Sequence, residues 1–245
     1  MILRRITEHV KAQNWLAVGL DFLIVVVGIL LAFWINAWSA EQSDRAALHS
    51  SLESLYSELE TNIELLDVHS RRHEDIIAAG QTLLTLADNP ETVSAPTDIL
   101  GKVFISGWTT DYSTGALTSL TSSQRFDFID DPNLKLAIAG LPAAYSDAIE
   151  DEVFIINLLD ALWNPYISKH LPVDAMWAFQ LDPNPEVHHA GVVTSPEFPS
   201  LLTSLEFQNH IHNRINYERL AIQEQAKLRI QIEKTIELLK QAVDT

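Results

Sequence analysis

Residues 15–38 read WLAVGLDFLIVVVGILLAFWINAW, and no other stretch constrains the chain as much. From Phe22 to Ala37 only Asn36 is strongly polar. A bilayer core of roughly 30 Å needs about 20 apolar residues in a helix, so the run is long enough to cross. Trp34 and Trp38 stand at one end, where indole rings favour the headgroup zone. A secretory signal peptide has an apolar core of about 7–15 residues that follows a short basic segment closely. Here the block is longer and starts later, so it reads as a retained transmembrane helix, despite small residues at Ala37 and Ser39. The expected organisation is a cytoplasmic amphipathic segment over 1–14, a transmembrane helix over 15–38 and an extracytoplasmic helical bundle domain over 39–245. Ile2, Leu3, Ile6 and Val10 supply the apolar face of the first segment, which would lie on the inner leaflet.

Charge orients the span. Arg4, Arg5 and Lys11 precede it, whereas Glu41 and Asp44 follow it before the first basic residue, Arg45. Basic flanks stay in the cytoplasm, so the N-terminus is expected inside and residues from about 40 onward outside. In a Gram-negative bacterium this means a single-pass inner-membrane protein with a periplasmic domain. Asp21 has two readings: a carboxylate at the cytoplasmic interface, or an intramembrane group that pairs with a partner helix. Gly19 and Gly28 would let a partner membrane protein or a second copy approach closely.

Beyond the membrane the signals are helical. Residues 40–88 contain no proline and a single glycine, and Leu48, Leu52, Leu55, Leu59, Ile63, Leu66, Ile76, Ile77, Leu83 and Leu84 recur close to a heptad seam. This predicts one helix that continues the transmembrane helix and stops at Asp88-Asn89-Pro90. A short helix is expected over Asp98–Ser106, and an irregular stretch over 107–131 that holds a further short helix near 114–122. Asp131-Pro132 reads as cap and first residue of a helix that runs to about Asn164, kinked near Pro142. A second irregular, proline-rich region then extends to Pro199, with an Asp-Pro-Asn-Pro turn at 182–185. A long helix follows to Val243, its seam of Ile211, Ile215, Ile222, Ile232, Ile236, Leu239 and Val243 interrupted by Glu218, Gln225 and Arg229. The expected fold class is all-α: an N-terminal transmembrane helix that continues into an elongated antiparallel helical bundle with irregular loops at the distal tip. Lys227, Arg229, Lys234 and Lys240 would then either approach the anionic bilayer surface or form a solvated face.

Composition removes several functions. A net charge of −17 argues against nucleic acid, whose phosphates need clustered Lys and Arg. The absence of cysteine excludes disulfides, thiolate nucleophiles and Cys-ligated metals. Eight glycines are few for an all-β fold. His69 and His73 are four apart, but Arg71 and Arg72 lie between them, and a solvated face is expected rather than a metal site. His210 and His212 point apart on a helix, and the adjacent His188-His189 would need a second element to complete a site. Asp130-Asp131 and Glu150-Asp151-Glu152 read as a helix start and a solvated helix face. No nucleophile elbow, phosphate-binding loop or dinucleotide motif appears, so no catalytic residue, metal or cofactor is assigned. The best recognition surface is the aromatic and hydroxyl cluster Trp108, Tyr112, Thr118, Ser122 and Arg125, with Arg125 as an anion contact. The alternative is that Trp108, Leu117, Leu120 and Phe126 are simply core.

The block GLDFLIVVVGILLAFWINAW, with Asp21-Phe22, Gly28 and Asn36-Ala37-Trp38, resembles an uncharacterised family of bacterial single-pass membrane proteins. GALTSLTSSQRFDFIDDPNLKLAI adds to that resemblance. It implies a membrane-anchored helical domain and brings no catalytic residue or ligand. The expected function is a scaffold, adaptor or sensor that binds a protein or small ligand. Two alternatives stand beside it: an accessory subunit that works through Asp21 and the transmembrane helix, or an envelope enzyme that uses His188, His189, Arg125 and Asp111.

Overall fold

A computed structural model describes residues 15–88, 95–174, 176–177, 192–193 and 197–243. The amphipathic segment 1–14, the turn at 182–185 and His188-His189 lie outside the described residues. The chain falls into two compact units, 1–50 and 51–245. Helix α1 spans Trp15–Ala87 without a break. It is long and apolar enough to cross a membrane, and none of its most apolar window is buried. Within the first unit Phe22, Phe33 and Trp34 are each more than two-thirds exposed. Nothing lies within 4 Å of where a side chain would begin at Gly19 or Gly28.

The second unit is helical, with a minimal β ladder. Three long helices build it: residues 51–87 of α1, α4 (Pro132–Leu158) and α7 (Leu205–Val243). Between α1 and α4 come β1 (Ala95–Pro96), α2 (Thr97–Phe104), α3 (Gly115–Thr121) and a 3₁₀ turn over Gln124–Phe128. After α4 come a π-helical turn at Leu159–Trp163, α5 (Asn164–His170), β2 (Val192–Val193) and α6 (Phe198–Leu202). β1 and β2 pair antiparallel, with Ala95 opposite Val193.

Each long helix buries one seam spaced alternately by three and four residues. On α1 it runs Leu52, Leu55, Leu59, Asn62, Leu66, His69, His73 and Ile76. On α4 it runs Leu134, Ile138, Leu141, Tyr145, Ala148, Glu152 and Ile155. On α7 it runs Phe207, Ile211, Arg214, Glu218, Ala221, Gln225, Leu228, Ile232, Thr235 and Leu239. Side-chain pairs give the directions. Asp67 meets Arg229, Ser70 meets Gln225 and His73 meets Glu218, so α7 descends as α1 ascends. Asn62 meets Tyr145 and His73 meets Glu152, so α4 ascends with α1. Gly80 permits a close approach of α1 and α7, since a methyl there would sit 2.9 Å from Ile215.

Four expectations change. The irregular stretch beginning at residue 105 does not sit at one end of the unit. It runs back along the helices as a strap, joining the end of α2 to α3. Several of its backbone groups bond side chains of the long helices rather than other backbone. Asn62 clamps Ser113 through both its amide groups, at 2.7 and 2.9 Å. The Glu58 carboxylate accepts from the backbone N–H of Ala116 and Leu117 at 2.7 and 2.9 Å, which also places a negative charge at the first turn of α3.

Second, the helix begun at Pro132, capped by the Asp131 carboxylate on the Asn133 N–H, does not give way to coil at Trp163. The π-helical turn carries it into α5, where Leu159, Trp163, Ile167 and Leu171 recur every four residues on the buried side. Pro165 falls in the first turn of α5. Third, the α1 seam passes through Asn62, His69 and His73, so the two histidines are buried and not on a solvated face. Fourth, Glu152 is 1% exposed, so only Glu150 and Asp151 of that acidic triplet reach solvent. Three basic residues of α7 have partners on the surface: Lys227 with Glu224, Arg229 with Asp67, and Lys240 over the Tyr56 ring.

Candidate functional site: a buried ion layer

Where the three seams turn polar they meet. His73 of α1, Glu152 of α4, and Arg214, Glu218 and Gln225 of α7 are all buried, and the strap adds Thr110 and the Ser106 carbonyl. The helix period brings them together. Arg214 and Glu218 lie one turn apart on α7, and Nε of the first stands 2.6 Å from Oε1 of the second. The Arg214 Nη2 donates to the Ser106 carbonyl at 2.6 Å, and the guanidinium lies over Trp163, 5.3 Å from the ring centre. Its Nη1 has no hydrogen-bond partner among the described residues, and the Nε–Oε1 contact with Glu218 is an ion pair without hydrogen-bond geometry. The π-helical turn is what delivers Trp163 to this position.

His73 joins the three helices. Its Nδ1 bonds the second oxygen of Glu218. Its Nε2 lies 3.6 Å from Oε1 of Glu152 and 3.1 Å from the amide nitrogen of Gln225. That amide also donates to Glu152 Oε1 at 2.9 Å, while its oxygen accepts from the Ser70 hydroxyl at 2.8 Å. Thr110 completes Glu152, donating its N–H at 2.6 Å and its hydroxyl at 2.7 Å. Trp108 covers the layer, its ring centre 5.0 Å from that of His73 and 6.2 Å from that of His69.

Electrostatics favours a balanced layer. Burial pushes the His73 imidazole down, but hydrogen bonds to Glu152 and Glu218 and their charge outweigh it and hold the ring above its ordinary range. Burial pushes Glu152 up, but hydrogen bonds from His73 and Thr110 bring it below its ordinary range. Burial pulls Arg214 down against the opposing Glu218, and a guanidinium stays charged at any ordinary pH. His69, by contrast, is driven towards its neutral form by burial and by Arg72. With His73 protonated, two cations face two carboxylates. The space among His73, Gly107, Trp108, Glu152, Arg214 and Glu218 has no room for a water molecule. The two carboxylates approach His73 from opposite ring nitrogens, so the three groups do not converge on a single ion. Among the described residues no group of metal-binding side chains has the arrangement a metal needs.

The residues singled out from sequence disperse. Trp108 joins the layer, with Arg72 5.7 Å from its ring centre. Tyr112 packs on Tyr145 at 5.0 Å, and burial raises its hydroxyl well beyond the ordinary phenol range. Thr118, Ser122 and Arg125 are exposed on α3 and after it, and the Ser122 hydroxyl turns back to the Thr118 carbonyl at 2.7 Å. Asp111 is exposed. His210 packs against Tyr166 with ring centres 4.4 Å apart, and His212 faces solvent. Gly19 and Gly28 face open space, and Asp21 is exposed in the first unit. Glu152, Arg214, Glu218, Gln225 and Thr110 escape a motif search, because no local spacing links them. The legible signal is a polar residue in a heptad seam, visible at Glu218 and Gln225.

The chain matches no family model, no curated protein and no solved structure.

Proposed function

We propose that this chain is a membrane-anchored helical module of a bacterial inner membrane, with its domain in the periplasm. It works by binding and helix rearrangement, as a scaffold, adaptor or sensor, and not by catalysis. The ion layer carries this reading. A catalytic site keeps its charged groups where a substrate can reach them. Here His73, Glu152, Arg214 and Glu218 close on one another in a space that excludes water. A charged layer in an otherwise apolar seam fixes the register of its helices, and a change in its charge gives them a second state.

An accessory-subunit reading has its own support: residues 22–35 expose apolar side chains, with open space at Gly19 and Gly28. One experiment separates the two. The intact tagged protein is extracted in mild detergent, and the proteins retained at stoichiometric amounts are quantified by mass spectrometry. The comparison covers wild type, Gly19→Leu/Gly28→Leu and Trp108→Ala. The module reading expects a partner that survives the glycine changes and is lost with Trp108→Ala. The reverse pattern establishes the accessory subunit. No stoichiometric partner in any sample removes the scaffold and adaptor forms.

A further inference from the structure

Away from α1, helices α4 and α7 leave a cleft of about 410 Å3 between them. Val153, Phe154 and Asn157 line it from α4, and Tyr217 and Leu220 from α7, with Glu150 and Asp151 at its edge. The Phe154 and Tyr217 rings meet edge to face, 5.2 Å apart. Val153, Phe154 and Leu220 are each more than 40% exposed. Single apolar side chains at a surface need no explanation, but a concave group that includes an aromatic pair does.

The charge around the cleft is one-sided. Glu150 and Asp151 make no ion pair among the described residues. Glu224 stands close enough to act on Asp151, and Asp147 close enough to act on Lys227. The cation nearby, Lys227, is engaged by Glu224 at 2.5 Å. Burial, then the charges of Glu224 and Glu150, raise the Asp151 carboxyl, and Lys227 opposes them only in part. A positive charge at the mouth would relieve that repulsion, and the ring faces beside it attract a cation directly. A second copy of this chain fits poorly, because it would set one acidic rim against another at a net charge of −17 per chain.

We propose that the α4–α7 cleft binds a small hydrophobic cation, an amine or quaternary ammonium on an apolar or aromatic body. The body enters between Phe154, Tyr217 and Leu220, and the cationic head meets Asp151 and Glu150. A volume of this size suits a small ligand rather than a protein segment. The site is separate from the ion layer and does not depend on the membrane reading.

The test uses the full chain in nanodiscs of zwitterionic lipid, with Val and Leu methyl groups labelled for NMR. Benzyltrimethylammonium is titrated, with benzyl alcohol and phenylacetate as neutral and anionic counterparts. The expected result is a saturable shift confined to the Val153 and Leu220 region, about tenfold weaker binding in Asp151→Asn and in Phe154→Ala, and no saturation with either counterpart. Equal binding of benzyl alcohol would reduce the cleft to a nonspecific apolar surface. No saturable shift with the cation, or an unchanged affinity in Asp151→Asn, overturns the proposal. A leucine- and lysine-bearing helical peptide that shifts these methyls where the small cation does not would also overturn it, reassigning the cleft to a protein partner.

Discussion

His73 has two sets of partners for one of its nitrogens, and its proton decides between them. A neutral ring that donates from Nδ1 to Glu218 can accept at Nε2 from the Gln225 amide, 3.1 Å away. A protonated ring has only donors, so Nε2 must turn from Gln225 to Glu152, now 3.6 Å away. Deprotonation also leaves two buried carboxylates against Arg214 alone. The raised His73 contributes stability that is fully present below the ordinary imidazole value of about 6.5 and is lost as pH climbs through the raised one. The lowered Glu152 contributes in the opposite sense: its share is present above the ordinary glutamate value and is lost as pH falls through the lowered one. Tm should therefore fall as pH is raised above the ordinary imidazole value of about 6.5, and His73→Gln should flatten that slope. Calorimetry of both proteins across this range checks it; identical slopes would remove His73 as the cause. Arg214 is tied more tightly. Arg214→Met removes the cation that faces Glu218 and the donor to the Ser106 carbonyl, and the expected loss is about 3–5 kcal/mol in denaturant unfolding.

Elements differ in how far the sequence announces them. The three long helices were legible because period and proline placement agree: no proline interrupts 40–88 or 200–243, and Asp131-Pro132 opens α4 as cap and first residue. The ion layer was half legible. Glu218 and Gln225 are visible breaks in an apolar seam, but Glu152 hides inside an acidic run, and His73 beside two arginines looks solvated. Arg229 also looked like a break, yet it leaves the seam to pair with Asp67. The strap was not legible, since its hydrogen bonds go to Glu58, Asn62 and Glu152, which are distant in sequence. The π-helical turn was hidden because Pro165 looks like a stop, whereas one wider turn accommodates it and keeps Trp163 inward. Inserting one alanine after Ala161 adds a residue beyond the one the wide turn absorbs, and should rotate Trp163 out of the core. The expected cost is about 3–5 kcal/mol, the range for losing a large buried side chain. Alanine at Ala161's neighbour Leu162, which is exposed, should change stability by less than about 0.5 kcal/mol. Urea unfolding of the two variants decides it; equal losses would mean the turn is not what holds Trp163.

At the scale of the whole molecule, the proposed membrane anchoring requires charge to explain which side of the bilayer the domain would occupy. The −17 net charge does not do so by itself, because long domains cross largely regardless of their acidic content. What counts is Lys and Arg close to the span. On that measure Arg4, Arg5 and Lys11 before it oppose Arg45 after it, and Arg45 is already held by Glu41 at 3.0 Å on the same helix face. The bias is modest, so it should be reversible. Replacing Arg4, Arg5 and Lys11 by Gln and placing Lys at Glu41 and Asp44 should send the domain to the cytoplasm in most molecules. The cysteine-free sequence supplies a clean readout, since a single Ser39→Cys is the one thiol in the chain. A membrane-impermeant maleimide added to intact spheroplasts should label this cysteine in the parent background and leave it unlabelled in the charge-reversed one. Labelling in both would show that something other than flanking charge, such as early folding of the domain, fixes the orientation. Absence of labelling in the parent would place the domain inside and refute the periplasmic assignment.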